Sequence, residues 1–296
     1  MNSIKVDLLN RLVTSSSCSV ASIVRRCVRE GVTGRDELRQ IAAVVFRHID
    51  NLGANDIVSI LSSLSKARYR NFHLFSALVD KLEQYPSLPL TESRSILVFF
   101  SKIHFTNSTL VTRCATVVRE NIDHLRPQDV CDILHALTRL RYHDNELIQA
   151  LITRGICNIK SVDAISLINF ATGCSKSEVN DKTIHEICRE LQERATSFGP
   201  FELLRALIVL SRFRIDPDIK EAGKVIVKCI KYSQLTLLQL TVCLEAMNAL
   251  GFEDKDDVVT ALKRKRDSYP TVSSELSARI DAALDGKTQN ATLTSN

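Results

Sequence analysis

Residues 137–144 read Leu137-Thr-Arg-Leu-Arg-Tyr-His-Asp144, an apolar anchor, a hydroxyl, a cation and a short polar turn, and the pattern returns along the chain. It stands again as Leu64-Ser-Lys-Ala-Arg-Tyr-Arg-Asn71, Phe100-Ser-Lys-Ile-His-Phe-Thr-Asn107, Cys174-Ser-Lys-Ser-Glu-Val-Asn-Asp181, Leu210-Ser-Arg-Phe-Arg-Ile-Asp-Pro217 and Met247-Asn-Ala-Leu-Gly-Phe-Glu-Asp254. The anchors at 64, 100, 137, 174, 210 and 247 are each 36 or 37 residues from the next. So steady a period marks a repeat architecture.

Ahead of each anchor runs a helical pattern: Ile57, Ile60, Leu61; Ile96, Leu97; Val130, Ile133, Leu134; Ile165, Ile168; Leu203, Ala206, Leu207; Leu240, Cys243, Leu244. The i, i+3, i+4, i+7 recurrence predicts one buried helix face. Asn55 and Pro127 read as start signals for two of these helices. The turn after each anchor ends in Asn71, Asn107, Asp144, Asp181, Asp216 or Asp254, each a good N-cap for a second amphipathic helix. The expected fold is all-α, an α-solenoid of helix-turn-helix repeats stabilised by nearest-neighbour interfaces.

Composition agrees. Only 9 Gly and 6 Pro occur in 296 residues, against roughly 12% of both on average, and aromatics are 5% with no Trp. Sandwiches, propellers and doubly wound folds need more turn residues. The array is expected over 31–270, with an irregular first unit, Pro270 closing the last repeat, a capping helix at 271–286 and a disordered tail at 287–296. Residues 1–30 hold Lys5, Arg11, Arg25, Arg26 and Arg29 among serines, with Asp7 as their main counter-charge. That composition fits an organellar transit peptide and an ordinary basic first helix equally well.

Nine cysteines, an odd number without a C-x-x-C pair, lie mostly in apolar runs and read as reduced structural thiols of an intracellular compartment. The sequons at Asn107 and Asn290 are then chance matches. No stretch of 18 uncharged apolar residues suggests a membrane span. No catalytic or metal signature is present; His135, His143 and His185 stand singly, and Gly286-Lys287-Thr288 lacks the strand and first glycine of a phosphate loop. A non-enzyme without cofactor, metal or small-molecule substrate is expected.

Net charge is only +5, so placement matters more than total. Two residues past five of the six anchors stand Lys66, Lys102, Arg139, Lys176 and Arg212, with Ala249 at the sixth; four past them stand Arg68, His104, Arg141 and Arg214, with Glu178 and Gly251 as exceptions. Such a ladder could meet successive phosphates of a nucleic acid. It equally offsets the negative ends of the first helices, an effect of about 0.3–1 kcal/mol each. Lys263, Arg264, Lys265 and Arg266 form the densest basic run, which reads as a phosphate patch, a nuclear-localisation-like sequence or, the commonest case for such a run, a solvated helix end. Tyr69, Phe105, Tyr142, Phe213 and Phe252 recur near the turns and read as packing residues rather than base-stacking platforms.

The unit at 129–144, with its echoes at 56–66 and 201–213, resembles the octotricopeptide-like or heptatricopeptide-like repeats of the RAP-domain and FAST-kinase-like organellar proteins. The resemblance covers roughly 50–270; no RAP domain follows, so no activity of that domain is carried over. It implies RNA stabilisation, processing or editing, or a role in an organellar ribosome. The expected partners are single-stranded or ribosomal RNA and protein subunits of a ribonucleoprotein, and the expected location is the mitochondrion, with plastid or cytosol as alternatives. The rival reading is a protein scaffold without direct RNA contact.

Overall fold

The computed structural model describes residues 2–14, 17–105, 107–214, 216–269 and 271–286. Expectations about Pro270, the tail at 287–296 and the Asn290 sequon lie outside the described residues. The described chain is helical, without a strand. Its helices are α1 (Asn2–Thr14), α2 (Ser17–Arg29), α3 (Arg35–His48), α4 (Ala54–Lys66), α5 (Phe72–Glu83), α6 (Leu90–Ile103), α7 (Ser108–Glu120), α8 (Pro127–Arg139), α9 (Asn145–Cys157), α10 (Ala164–Cys174), α11 (Asp181–Arg194), α12 (Pro200–Leu210), α13 (Pro217–Cys229), α14 (Leu237–Ala249), α15 (Asp256–Asp267) and α16 (Ser274–Leu284).

Two compact units divide the chain, Met1–Asp129 with Ala136–Leu147, and Val130–His135 with Ile148–Asn296. In the first, the hairpins α2–α3, α4–α5 and α6–α7 stack through α2 on α4 and α4 on α6, and α1 covers α2 and α3. In the second, α10–α11, α12–α13 and α14–α15 stack through α10, α12 and α14 in turn, with α16 packed on α14. The all-α helical-repeat class expected from the period is the fold of each unit.

The anchors are the core. Leu64, Phe100, Leu137, Cys174, Leu210 and Met247 are all buried, as is Cys27, 37 residues before the first of them. Helix α2 thus carries a seventh anchor in register, and Val20, Val24 and Cys27 are fully buried. Ile165 does not join this face. It is 53% exposed, because it stands nine residues before its anchor, half a turn out of phase, whereas Leu167, seven residues before, is buried.

A second punctuation separates one hairpin from the next. Short 3-10 turns at Ile49–Asn51, Ile122–His124, Ile159–Ser161, Ala195–Ser197 and Tyr232–Gln234 lead into the first helices. Leu52, Leu88, Leu125, Val162, Phe198 and Leu235, again 36 or 37 apart, then precede the helices and are buried. A residue buried just ahead of an N-cap pins the chain's direction into the helix, and each burial is worth about 2 kcal/mol. The N-cap of α4 is Gly53 rather than Asn55. Pro127 occupies the first turn of α8 as expected.

Among the described residues eight cysteines are free thiols, six of them buried. Burial pushes Cys114, Cys131, Cys188 and Cys243 up to about 12, so these groups pack as hydrophobes and stay protonated. No helix among the described residues is long and apolar enough to cross a membrane.

Candidate nucleic-acid interface

The turn that ends each first helix sets where the cations point, and it comes in two forms. In one, the anchor carbonyl accepts from the N–H five residues on: Val32 to Cys27 (2.9 Å), Tyr69 to Leu64 (3.0 Å), Phe105 to Phe100 (3.2 Å), Tyr142 to Leu137 (3.0 Å) and Phe252 to Met247 (3.0 Å). This helix stop needs a left-handed residue. Gly31 and Gly251 fill that place in two copies, but Arg68, His104 and Arg141 fill it in the others at φ 54–55°. In the other form the turn closes tighter, with Ser177 donating to Cys174 and Phe213 to Leu210.

Turn type then shifts the next cap. After the left-handed turns at Leu64, Phe100 and Leu137 it falls seven residues past the anchor, where Asn71, Asn107 and Asp144 accept from Leu74, Leu110 and Leu147. After the tighter turns it falls one residue sooner, at Asn180 and Asp216. Asp181 is therefore the first residue of α11 rather than its cap. The left-handed turn at Met247 departs from the rule: Lys255, eight past that anchor, and not Asp254, precedes α15. The aromatic residues pack here: Phe105 lies 5.3 Å from the ring of its own anchor Phe100, and Phe213 and Phe252 are buried.

In the first unit Lys66 and Lys102 are exposed at the ends of α4 and α6. Neither makes a hydrogen bond or ion pair among the described residues, and the carbonyls around them already accept from backbone N–H groups. Carbonyl capping therefore does not occupy these two side chains. Arg139, half-buried, donates from Nη2 to Nε2 of His104 at 2.8 Å, and burial pulls it below the usual arginine value. Arg68 and Arg141 are exposed. Sequence reasoning passed over one member: Arg29 stands two past Cys27, and subtracting one period from Lys66 finds it.

In the second unit Lys176 and Arg212 lie just beyond their helices rather than on them, because α10 and α12 end at the anchors themselves. Burial, and then the nearby Arg205, lower the Arg212 guanidinium from its ordinary value. Arg214 is exposed. The basic run splits. Lys263 and Arg264 are exposed, whereas Lys265 donates to the Leu235 carbonyl and Arg266 binds Asp281 (2.7 Å) and Ser277 (2.9 Å) of α16. His143 lies in the turn before α9, and His185 pairs with Asp218.

Residues 39–164 match the family model of the RNA-editing substrate-binding complex 6 protein. No curated protein matches the chain. The matched region, under half of the 296 residues, runs from within α3 to the start of α10 and contains Lys66, Lys102 and Arg139. The matched model is that of an RNA-editing protein, so RNA processing is common to this match and to the octotricopeptide-like resemblance, while the specific repeat class is not.

Two further regularities share the first helices. In the second unit Asp132, Asn169 and Arg205, each five before its anchor, form hydrogen-bonded rungs: Asn169 donates to Asp132 at 3.0 Å and Arg205 donates to Asn169 at 2.8 Å. Nine before the anchors stand Ile165, Phe201 and Leu238, exposed by 53%, 56% and 42%. Among the described residues no group of three or more His, Cys, Asp or Glu side chains is placed to hold a metal ion.

Proposed function

We propose that this protein is a non-catalytic, mitochondrial subunit of an RNA-editing substrate-binding assembly, and that its first unit contacts RNA phosphates through Lys66 and Lys102, with Arg29, Arg68 and Arg141 beside them. The observation that carries the reading is the match to the editing-complex family over the stretch where exposed cations recur at one position of the repeat. Each cation that meets a phosphate releases a counterion, so affinity falls with salt. Fluorescence anisotropy with a single-stranded RNA tests it: K66E/K102E should bind more weakly and flatten the salt slope by about 0.7 for each phosphate no longer neutralised. Binding equal to wild type removes the ladder from the interface.

A second reading has its own observation. Ile165, Phe201 and Leu238 repeat at one position in the second unit and leave apolar surface open, which favours a scaffold role toward other protein subunits. Partners recovered after RNase treatment support the scaffold, and partners that disappear with the RNA support direct RNA contact. A fluorescent fusion of residues 1–40 tests the location.

A further inference from the structure

The basic N-terminal segment folds into a pocket. On α2, Ser22, Arg25, Arg26 and Arg29 recur at i, i+3, i+4 and i+7, the spacing that puts residues on one face. The opposing face of the same helix, Val20, Val24 and Cys27, is buried in the core. Helix α1 adds Leu8 and Arg11, one turn apart. Together Leu8, Arg11, Ser22, Ile23, Arg25, Arg26 and Arg29 line a pocket of about 370 Å³, within the size range of small-ligand sites.

Four of the segment's five cations face this space; the fifth, Lys5, donates to the Gly31 carbonyl at 2.7 Å. Among the described residues no acidic side chain lines the pocket. Two carboxylates compensate from outside it, Asp7 at 3.0 Å from Arg11 and Glu30 at 3.7 Å from Arg29. Arg25 is steadied by a hydrogen bond to Ser59 on α4, 3.2 Å away. Four like charges in one pocket repel, and a ligand carrying several negative charges relieves that repulsion while accepting forked hydrogen bonds. Leu8 and Ile23 supply an apolar wall beside the guanidinium groups.

We infer that this pocket binds a cluster of phosphates, such as a di- or triphosphate group. The inference does not rest on the ladder reading: only Arg29 belongs to both, and the pocket can hold phosphate whether or not Lys66 and Lys102 touch RNA.

Isothermal titration of the full chain with inorganic tripolyphosphate tests it. A single site is expected, weakened about tenfold by R26Q and abolished in R11Q/R26Q, with K66E/K102E unchanged. Thermal melting checks that the variants fold; should R11Q/R26Q melt early, R11K/R26K keeps the charge, removes the fork, and is expected to bind more weakly than wild type. Competition distinguishes the source: displacement by ATP but not by a 5′-hydroxyl RNA supports a nucleotide phosphate, and displacement by that RNA supports backbone phosphates. No binding by wild type, equal binding by the arginine variants, or equal weakening by K66E/K102E overturns the site.

Discussion

Arg205 donates from Nη2 to Oδ1 of Asn169 at 2.8 Å, although 36 residues separate them, and Asn169 donates in turn to Asp132, 37 residues back. The repeat period is thus written in polar side chains as well as in the apolar core. Asn169 bridges a carboxylate to a guanidinium here, so N169A breaks both bonds at once. A loss of about 1–2 kcal/mol is expected by urea denaturation, since each bond has a charged partner but is only partly buried. An unchanged midpoint would show that water replaces the rung.

Arg68 and Arg141 hold left-handed backbone at φ 55°, where Gly31 and Gly251 stand in other copies. A side chain in this conformation costs about 1–2 kcal/mol. R68G and R141G should each raise stability by about 0.5–1 kcal/mol, part of the gain being offset by glycine's freer unfolded chain. If Arg68 meets RNA, R68G also weakens RNA binding, so opposite changes in the two measurements would mark a residue kept for its charge at the expense of its backbone.

Gly155 permits a close approach. A Cβ built there would lie 2.2 Å from the ring of Phe170, which is fully buried. Alanine favours a helix by about 1 kcal/mol over glycine, but overpacking a rigid ring costs about 1–3 kcal/mol. G155A should therefore lower the melting temperature, and the double variant G155A/F170L should recover most of the loss.

His185 is drawn upward from 6.5, chiefly by its hydrogen bond to the Asp181 carbonyl, then by Asp218, Asp216 and Asp181. A histidine raised on folding stabilises fully below its unfolded value, and that contribution fades as pH climbs through the folded one. NMR titration should place His185 above 6.5, and D218N should bring it down. A His185 midpoint that D218N leaves unmoved would remove Asp218 from its environment.

The period, the anchors and the helix class were legible in the sequence because helical geometry is local: 3.6 residues per turn puts apolar residues seven apart on one face wherever they occur. Ile165 shows the limit of reading by eye, since it belongs to the apolar list but not to the phase. Asp181 shows another, because a cap's place there depends on whether the preceding turn closes through the sixth residue or the fourth, a choice two Asx residues in a row do not reveal.

What the residues determined by themselves was the repeat, its all-α class and the recurrence of a cation two past five of the six anchors. What tertiary structure decided was the fate of each charge. Lys265 and Arg266 are spent on a carbonyl and on α16, Arg139 on His104, while Lys66 and Lys102 stay in solvent and the scattered arginines of the first segment gather around one pocket. The physical reason is range: backbone periodicity acts over a few residues, whereas a charge is used or left available by groups some 15 to 35 residues away that only packing brings near.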